Sequence, residues 1–165
     1  KRRFGLIMWS MVFIILKTKN HRPMTSQNIV SNSANDEWEL INTHPIKKSD
    51  LGFHGNLFGG KLLAWLDASA AGFAMQICDS PRMVTIKIDE CEFKKAAKEG
   101  QLIKIYGKVK EIGTTSITIY MEARAHNVYN GKQVTVLSTN IKFVRIDESG
   151  DPIPISDRVK ERYNK

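Results

Sequence analysis

Hydrophobic residues recur at intervals of three and four positions along one long stretch of the chain, Gly59–Cys78. This spacing places them on one face of an α-helix. Asp79-Ser80-Pro81 follows directly and is expected to end that helix. The residues of the apolar face are Leu62, Leu63, Leu66, Ala70, Phe73 and Ile77. The alanines between them keep the helix slim, so a sheet can approach it closely.

After the helix, hydrophobic and polar residues alternate, which is typical of β-strands with one buried face. In the first such segment, Val84, Ile86 and Ile88 are expected to lie on the face opposite to Thr85 and Lys87. The alternation predicts four long strands, over Met83–Phe93, Gln101–Ile112, Thr114–His126 and Gln133–Ile146.

Two shorter sequence motifs predict the remaining elements. Tyr129-Asn130-Gly131-Lys132 predicts a hairpin turn, because Asn-Gly supplies the positive φ angles that such turns need. Glu37–Asn42 predicts a short edge strand before the helix. One helix cannot cover both faces of a long antiparallel sheet. We therefore expect an α+β fold in which a curved sheet wraps around the helix and its open edge or face is buried by a partner.

The formal charge of +8 at pH 7 is distributed unevenly. Residues 1–23 contain six Lys and Arg and no acid, which leaves +2 (8 − 6) for residues 24–165. A domain whose positive and negative charges nearly balance does not indicate a nucleic-acid partner.

The two cysteines, Cys78 and Cys91, fit no metal-binding spacing and are interpreted as reduced thiols. No nucleophile elbow, P-loop or dinucleotide fingerprint is present.

The N-terminal segment has a composition of its own. Phe4–Leu16 is a thirteen-residue run that is apolar or small except for Ser10, with basic residues on both sides. It is shorter than the ~20 residues that span a bilayer. Two interpretations stay open: a tail outside the functional protein, or a targeting or anchoring segment. We expect a cytoplasmic protein. The alternative is membrane association or organelle targeting through residues 1–23. Membrane contact is expected only if residues 4–16 are a real anchor. The expected organisation is a tail at 1–35, a domain at 36–155 and a charged C-terminal tail at 156–165.

The start of the helix carries the strongest chemical signal. Gly59 and Gly60 open it, so their backbone N–H groups are accessible at the positive end of the helix dipole. Asp67 lies on the apolar side of the same helix, where a carboxylate is costly to bury without a partner or a task. It is a candidate general base or nucleophile, the alternative being a solvated surface carboxylate. Asn56 could orient water or substrate, although asparagine is also an ordinary turn residue.

The spacing of these groups predicts a second subunit. Asp67 lies ~12 Å along the helix from Gly59, at ~1.5 Å per residue. One chain can hardly place both on the same carbonyl. Two chains packed antiparallel could, each giving its helix start to the carboxylate of the other, so the sequence predicts a homodimer with a shared active site.

Two other groups of residues are candidate ligand contacts. Lys94 and Lys95 belong to a basic cluster that would contact phosphate groups, the alternative being a solvated loop. Thr115 and Ser116 could donate hydrogen bonds to a ligand, the alternative being ordinary residues at the start of a strand.

In series, these motifs resemble the hotdog-fold acyl-CoA thioesterases, in the branch of cytosolic acyl-CoA hydrolases and YciA-like enzymes. The resemblance covers roughly residues 37–155. Its motifs are Asn56-x-x-Gly59-Gly60 with Asp67, Val84-Thr85-Ile86, Phe93-Lys94-Lys95, Gly113-Thr114-Thr115-Ser116 and Phe143-Val144-x-Ile146-Asp147. The resemblance rests on the order of all these motifs together rather than on any one of them.

The resemblance implies a long helix wrapped by a bent antiparallel sheet, and dimers that often assemble as trimers of dimers. It implies hydrolysis of fatty acyl-CoA to the free acid and CoA, without a metal or cofactor, since CoA is part of the substrate. Asp67 matches the catalytic acid and Asn56 the catalytic asparagine of some members. Gly60 matches the position facing the thioester carbonyl, with Phe58 and Gly59 beside it.

The chain departs from the family pattern at two positions. Gly52 stands where many bacterial relatives have another asparagine, and Ala96 stands where a proline often follows Phe-Lys-Lys. Two other functions remain open on this fold. One is a non-catalytic acyl-CoA-binding sensor. The other is a hydratase or dehydratase, which usually needs a histidine near the helix, and Gly59–Cys78 contains none.

Overall fold

The computed structural model describes residues 37–163, so the apolar run at residues 4–16 and its membrane interpretation lie outside the described residues. The elements are β1 (Glu39–Pro45), a 3-10 turn (Lys48–Asp50), α1 (Gly59–Cys78), β2 (Met83–Ile88), β3 (Glu92–Phe93), β4 (Leu102–Ile112), β5 (Ser116–His126), β6 (Gln133–Arg145) and α2 (Asp157–Tyr163). Within this range, no helix is both long and apolar enough to cross a bilayer.

The long helix α1 has the bounds that the hydrophobic spacing predicts. It ends at Asp79, which adopts a left-handed conformation with φ 49° and donates its N–H to the Met75 carbonyl. Aspartate is one of the few residues that tolerate this conformation. The Asp79 carboxylate also accepts hydrogen bonds from Arg158 and Arg162 of α2 at 2.6 and 3.1 Å. The two helices are therefore joined at the C-terminal end of α1.

The strands form one antiparallel sheet in the order β1-β4-β5-β6-β2, with β3 paired to a separate stretch of β6. Helix α1 packs on one face of the sheet, in the α+β arrangement that the element order predicts. The fully buried residues that the strands supply to this core include Ile103, Ile105, Ile117, Ile119, Met121, Ile141 and Phe143. Irregularities of register interrupt four of the strand pairs and bend the sheet.

The segment predicted as one strand over Met83–Phe93 is divided into β2 and β3, and its predicted alternation is wrong. A bulge lies between Thr85 and Lys87. Thr85 pairs with buried Phe143, so it faces α1, whereas Lys87 pairs with Lys142. The extra residue shifts the period of two, so Thr85 and Lys87 do not share a face.

The segment at 156–165, expected as a charged tail, contains the short helix α2 in its described part. Val159 is completely buried, and Ile155 just before the helix is 1% exposed. These two apolar residues attach the segment to the core, so ordered structure continues beyond residue 155.

Gly107 of β4 lies at a crowded point of the core, where side chains of the neighbouring strands β1 and β5 fill the space beside it. A Cβ at this position would lie 2.5 Å from Ile41 Cδ1 and 2.9 Å from Met121 Sδ. We expect Gly107→Val to lower the free energy of unfolding by about 1–3 kcal/mol through overpacking, as measured by urea denaturation.

The control is Gly72 of α1, where a Cβ would meet nothing within 4 Å. Gly72→Ala is expected to leave stability unchanged or raise it by up to about 1 kcal/mol, because alanine favours helix. A Gly107→Val protein as stable as the control would contradict the crowding at this position.

Candidate active site

The loop that leads into α1 is closed by short backbone hydrogen bonds. Phe58 donates its N–H to the Asp50 carbonyl at 2.9 Å, and Gly52 donates to the Asn56 carbonyl at 2.8 Å. Leu51 and Leu57 form an antiparallel bridge between these two bonds. These bonds therefore hold Asn56 and the first residues of the helix in a fixed position relative to each other.

The first turn of α1 presents two backbone donors. The N–H groups of Lys61 and Leu62 both donate to the Phe58 carbonyl, at 3.0 and 3.1 Å. The Phe58 side chain does not cap the helix. The N–H groups of Gly59 and Gly60 are therefore the first-turn donors left for a ligand, as expected at a helix N-terminus.

Two aromatic rings lie close to the two glycines. A Cβ at Gly60 would lie 2.7 Å from the Phe58 ring, and a Cβ at Gly59 would lie 3.1 Å from the Phe93 ring. Both phenylalanines are at least half exposed. The helix start is therefore flanked by apolar surface, and a side chain at either glycine would have to displace a ring.

A cavity of about 400 Å³ adjoins the helix start. It brings together four of the predicted site residues, which are Asn56, Gly59, Lys94 and Lys95. Apolar side chains complete the lining, from Leu57, Leu62, Phe93, Ala96, Ala97 and Val136. An apolar surface with a few convergent polar groups is the usual form of a small-molecule site.

The polar groups of this cavity suit a ligand that carries a carbonyl and negative charge. The Gly59 N–H can donate to a carbonyl, and the Oδ1 atom of Asn56, which is buried and accepts no hydrogen bond from the described residues, can accept one from a bound water. The Lys94 ammonium donates to Ser138 Oγ at 3.0 Å, and Lys95 adds a second positive charge nearby. Lysines bind phosphate as point charges.

Asp67 lies two turns farther along α1 and does not line this cavity. Its side chain is partly exposed, and its Oδ1 accepts a hydrogen bond from Thr85 Oγ1 at 2.9 Å. The helical rise separates Asp67 from Gly59 by about 12 Å. Within one chain the carboxylate and the glycine donors therefore stay apart, as the sequence predicts.

Thr115 and Ser116 are not part of the cavity. They lie at the beginning of β5, where Arg145 donates its N–H to the Thr115 carbonyl and Gly113 donates to the Ser116 carbonyl. Ser116 pairs with Val144 near the end of β6. The structure thus does not bring them to the helix start of their own chain, and their ligand contact stays a prediction.

Two residues near the site are missing from the candidates drawn from the sequence. Thr85 orients Asp67 through its hydrogen bond. The expected alternation puts Thr85 on the same face of the strand as Lys87, away from the helix. The bulge that separates the two residues leaves no signal in the residue pattern. Phe93 covers the helix start; the motif Phe93-Lys94-Lys95 points to it, yet gives it no role.

The histidine of β1 shows no catalytic geometry. His44 stacks on Trp65 with ring centroids 4.6 Å apart. Burial lowers the pKa of His44 from its ordinary value of 6.5, which favours the neutral imidazole. Among residues 37–163, no cluster of three or more metal-ligating side chains is present.

Comparisons with known proteins agree with this architecture. The family model of the thioesterase superfamily matches residues 54–129. A hexameric hotdog fold thioesterase of Campylobacter jejuni is 31% identical, with a TM-score of 0.70 over 77% of this chain and 97% of that one.

Two curated relatives are named as acyl-CoA thioester hydrolases. YkhA of Bacillus subtilis, an uncharacterised one, is 26% identical over 76% of this chain and 72% of its own length. YciA of Escherichia coli is 27% identical over 63% of this chain and 80% of its own length. With the long helix α1 on a bent antiparallel sheet and the glycine pair at the helix start, these similarities show that the chain belongs to the hotdog-fold acyl-CoA thioesterases of the thioesterase superfamily.

Proposed function

We propose that this protein hydrolyses acyl-CoA thioesters to a free carboxylic acid and CoA. The observation that carries the proposal is the helix start, where two backbone donors without intrahelical partners open beside an apolar cavity. Membership of the thioesterase family supports the same reaction. The donors at the helix start suit a thioester carbonyl, Lys94 and Lys95 suit the phosphates of CoA, and the free Oδ1 of Asn56 can accept a hydrogen bond from water.

The glycine donors at the helix start and the carboxylate of Asp67 have separate roles in the reaction. The thioester oxygen accepts hydrogen bonds from the N–H groups of Gly59 and Gly60, which stabilise the negative charge of the tetrahedral intermediate. Loss of one such donor costs about 3–4 kcal/mol in comparable enzymes. Asp67 removes a proton from water as the water oxygen bonds to the carbonyl carbon. The C–S bond then breaks, and the proton on Asp67 passes to the leaving CoA sulfur.

This division requires a second copy of the chain, and β2 is where we place it. β2 is the last strand in the sheet order and pairs only with β6 among the described strands. Its side chains Val84, Ile86 and Ile88 are 38%, 55% and 41% exposed. An unpaired, apolar sheet edge is a template for another strand.

Antiparallel pairing of two β2 strands also explains the position of Asp67. The hydrogen bond from Thr85 of β2 places this carboxylate against the edge, while Phe93 of β3 covers the glycine end of the helix. A two-fold axis across this edge reverses one copy relative to the other. Each Gly59-Gly60 pair then approaches the Asp67 of the partner, so each dimer has two shared sites.

The proposal extends to the higher assembly and to the cellular compartment. The similarity to a hexameric thioesterase supports a trimer of such dimers. We place the reaction in the cytoplasm, because both cysteines of the chain are free thiols in the structure and reduced thiols are usual there. CoA enters as part of the substrate, and the proposed chemistry requires neither cofactor nor metal.

Thiol release tests the proposed function. The purified chain is mixed with acyl-CoA substrates of increasing chain length, and free CoA is measured with a thiol reagent while binding is measured in parallel. We expect continuous release of CoA from at least one substrate. Saturable binding of every substrate without thiol release would contradict hydrolysis and would show an acyl-CoA-binding protein instead.

A further inference from the structure

Asp50, the last residue of the 3-10 turn, is buried, with 10% of its side chain exposed. A carboxylate is rarely buried to this extent without partners, because it loses its hydration. Its Oδ2 atom accepts the N–H of Lys47 at 2.9 Å, and its Oδ1 atom lies 3.8 Å from the Lys61 ammonium. The side chain thus connects the turn before the loop with the first turn of α1.

The backbone of Asp50 holds the other end of the same loop. Its carbonyl accepts the Phe58 N–H at 2.9 Å, and the Phe58 carbonyl in turn accepts the N–H groups of Lys61 and Leu62. The Phe58 carbonyl and the Gly59 N–H belong to one planar peptide group and point in opposite directions. Fixing Phe58 therefore fixes the direction of the Gly59 donor.

Asn56 depends on the same support. It lies in the loop that the bond between Phe58 and Asp50 closes, and its own carbonyl accepts the Gly52 N–H. Asp50 itself is absent from the cavity lining, so it does not touch a ligand bound there. Any effect of Asp50 on the reaction must act through the loop.

We propose that Asp50 is a positioning residue for thioester hydrolysis, whose carboxylate holds the loop at residues 51–58 so that Gly59 and Asn56 face the cavity in one orientation. The inference rests on the proposed function. Donors that are oriented before the reaction stabilise its charge without reorganisation, and a small misplacement of a reacting group lowers the rate about 10²-fold. Asp50 supplies this orientation from outside the cavity.

The test compares Asp50→Ala with Asp50→Asn. The alanine variant removes the acceptor of the Lys47 N–H, and we expect kcat for acyl-CoA to fall about 10- to 100-fold with KM changed less than about 3-fold. The asparagine variant keeps an oxygen acceptor and is expected to recover most of kcat. A purely structural role would reduce the folded fraction and leave kcat per folded chain unchanged.

Asp79 provides the matched control, because its carboxylate binds two arginines at the opposite end of the same helix. Asparagine, like aspartate, tolerates the left-handed backbone at this position, so Asp79→Asn does not add strain there. We expect this variant to lower the Tm without changing kcat.

Hydrogen exchange gives a second readout that does not depend on activity. Amides of residues 51–58 are expected to exchange faster in Asp50→Ala than in the wild type or Asp79→Asn. An Asp50→Ala chain with wild-type kcat overturns the proposal and leaves the proposed function intact. A wild-type chain that hydrolyses no acyl-CoA overturns the proposed function, and the exchange then still decides whether Asp50 holds this loop.

Discussion

Replacing Asp67 with asparagine is expected to lower kcat for acyl-CoA hydrolysis about 10²- to 10⁴-fold, the range that a positioned general base contributes. The amide cannot take a proton from water, but its oxygen can still accept the hydrogen bond from Thr85 Oγ1. Fold and assembly should therefore persist. The measurement is thiol release at saturating substrate, with circular dichroism and size-exclusion chromatography on the same sample.

Thr85→Val is the companion variant for Asp67. It removes the hydroxyl that donates to Asp67 and leaves the carboxylate in place. We expect a smaller loss than in Asp67→Asn, because the base remains and only its orientation is loosened. An Asp67→Asn chain that turns over at the wild-type rate would exclude Asp67 as the base.

The second large effect is expected at the edge of the sheet. Ile86 is 55% exposed on β2, and Ile86→Lys places a charge where we propose that two chains pair. Charged residues on an edge strand prevent strand pairing. We expect the dimer to dissociate and hydrolysis to fall at least about 100-fold, because each site loses its partner's Asp67. Analytical ultracentrifugation and thiol release on one sample check both results.

A lysine elsewhere on the surface controls for this substitution. Val128 lies beyond the end of β5, is 49% exposed and is not on the β2 edge. Val128→Lys is expected to leave both mass and turnover unchanged. An Ile86→Lys chain that is monomeric and fully active would show that one chain contains a complete site.

The sequence predicts the fold well where a single periodicity governs a segment. Helix α1 has the predicted bounds because its apolar spacing continues without interruption up to Asp79. Strands β4, β5 and β6 agree with their predicted ranges to within two residues. In contrast, a single bulge after Thr85 changes the faces of β2, and nothing in the residue types marks the added residue.

The candidate site is predicted in its parts but not in its assembly. Asn56 and Lys94 come from separate motifs, and only folding shows that they line one cavity. The separation of Asp67 from Gly59 follows from helix geometry alone, since the rise per residue is fixed. Asp50 could not be found from the pattern, because the contacts of its carboxylate with Lys47 and Lys61 exist only in the folded loop.

The shared site can be tested most directly by mixing two inactive chains. Asp67→Asn lacks the base, and Gly60→Val blocks the helix start, where even a Cβ would lie 2.7 Å from the Phe58 ring. Random pairing of equal amounts makes about half of the dimers mixed, and each mixed dimer has one site with both groups intact. Shared sites predict recovery of about one quarter of wild-type turnover after mixing. Mixed dimers that form but remain inactive would contradict a catalytic carboxylate supplied by the partner.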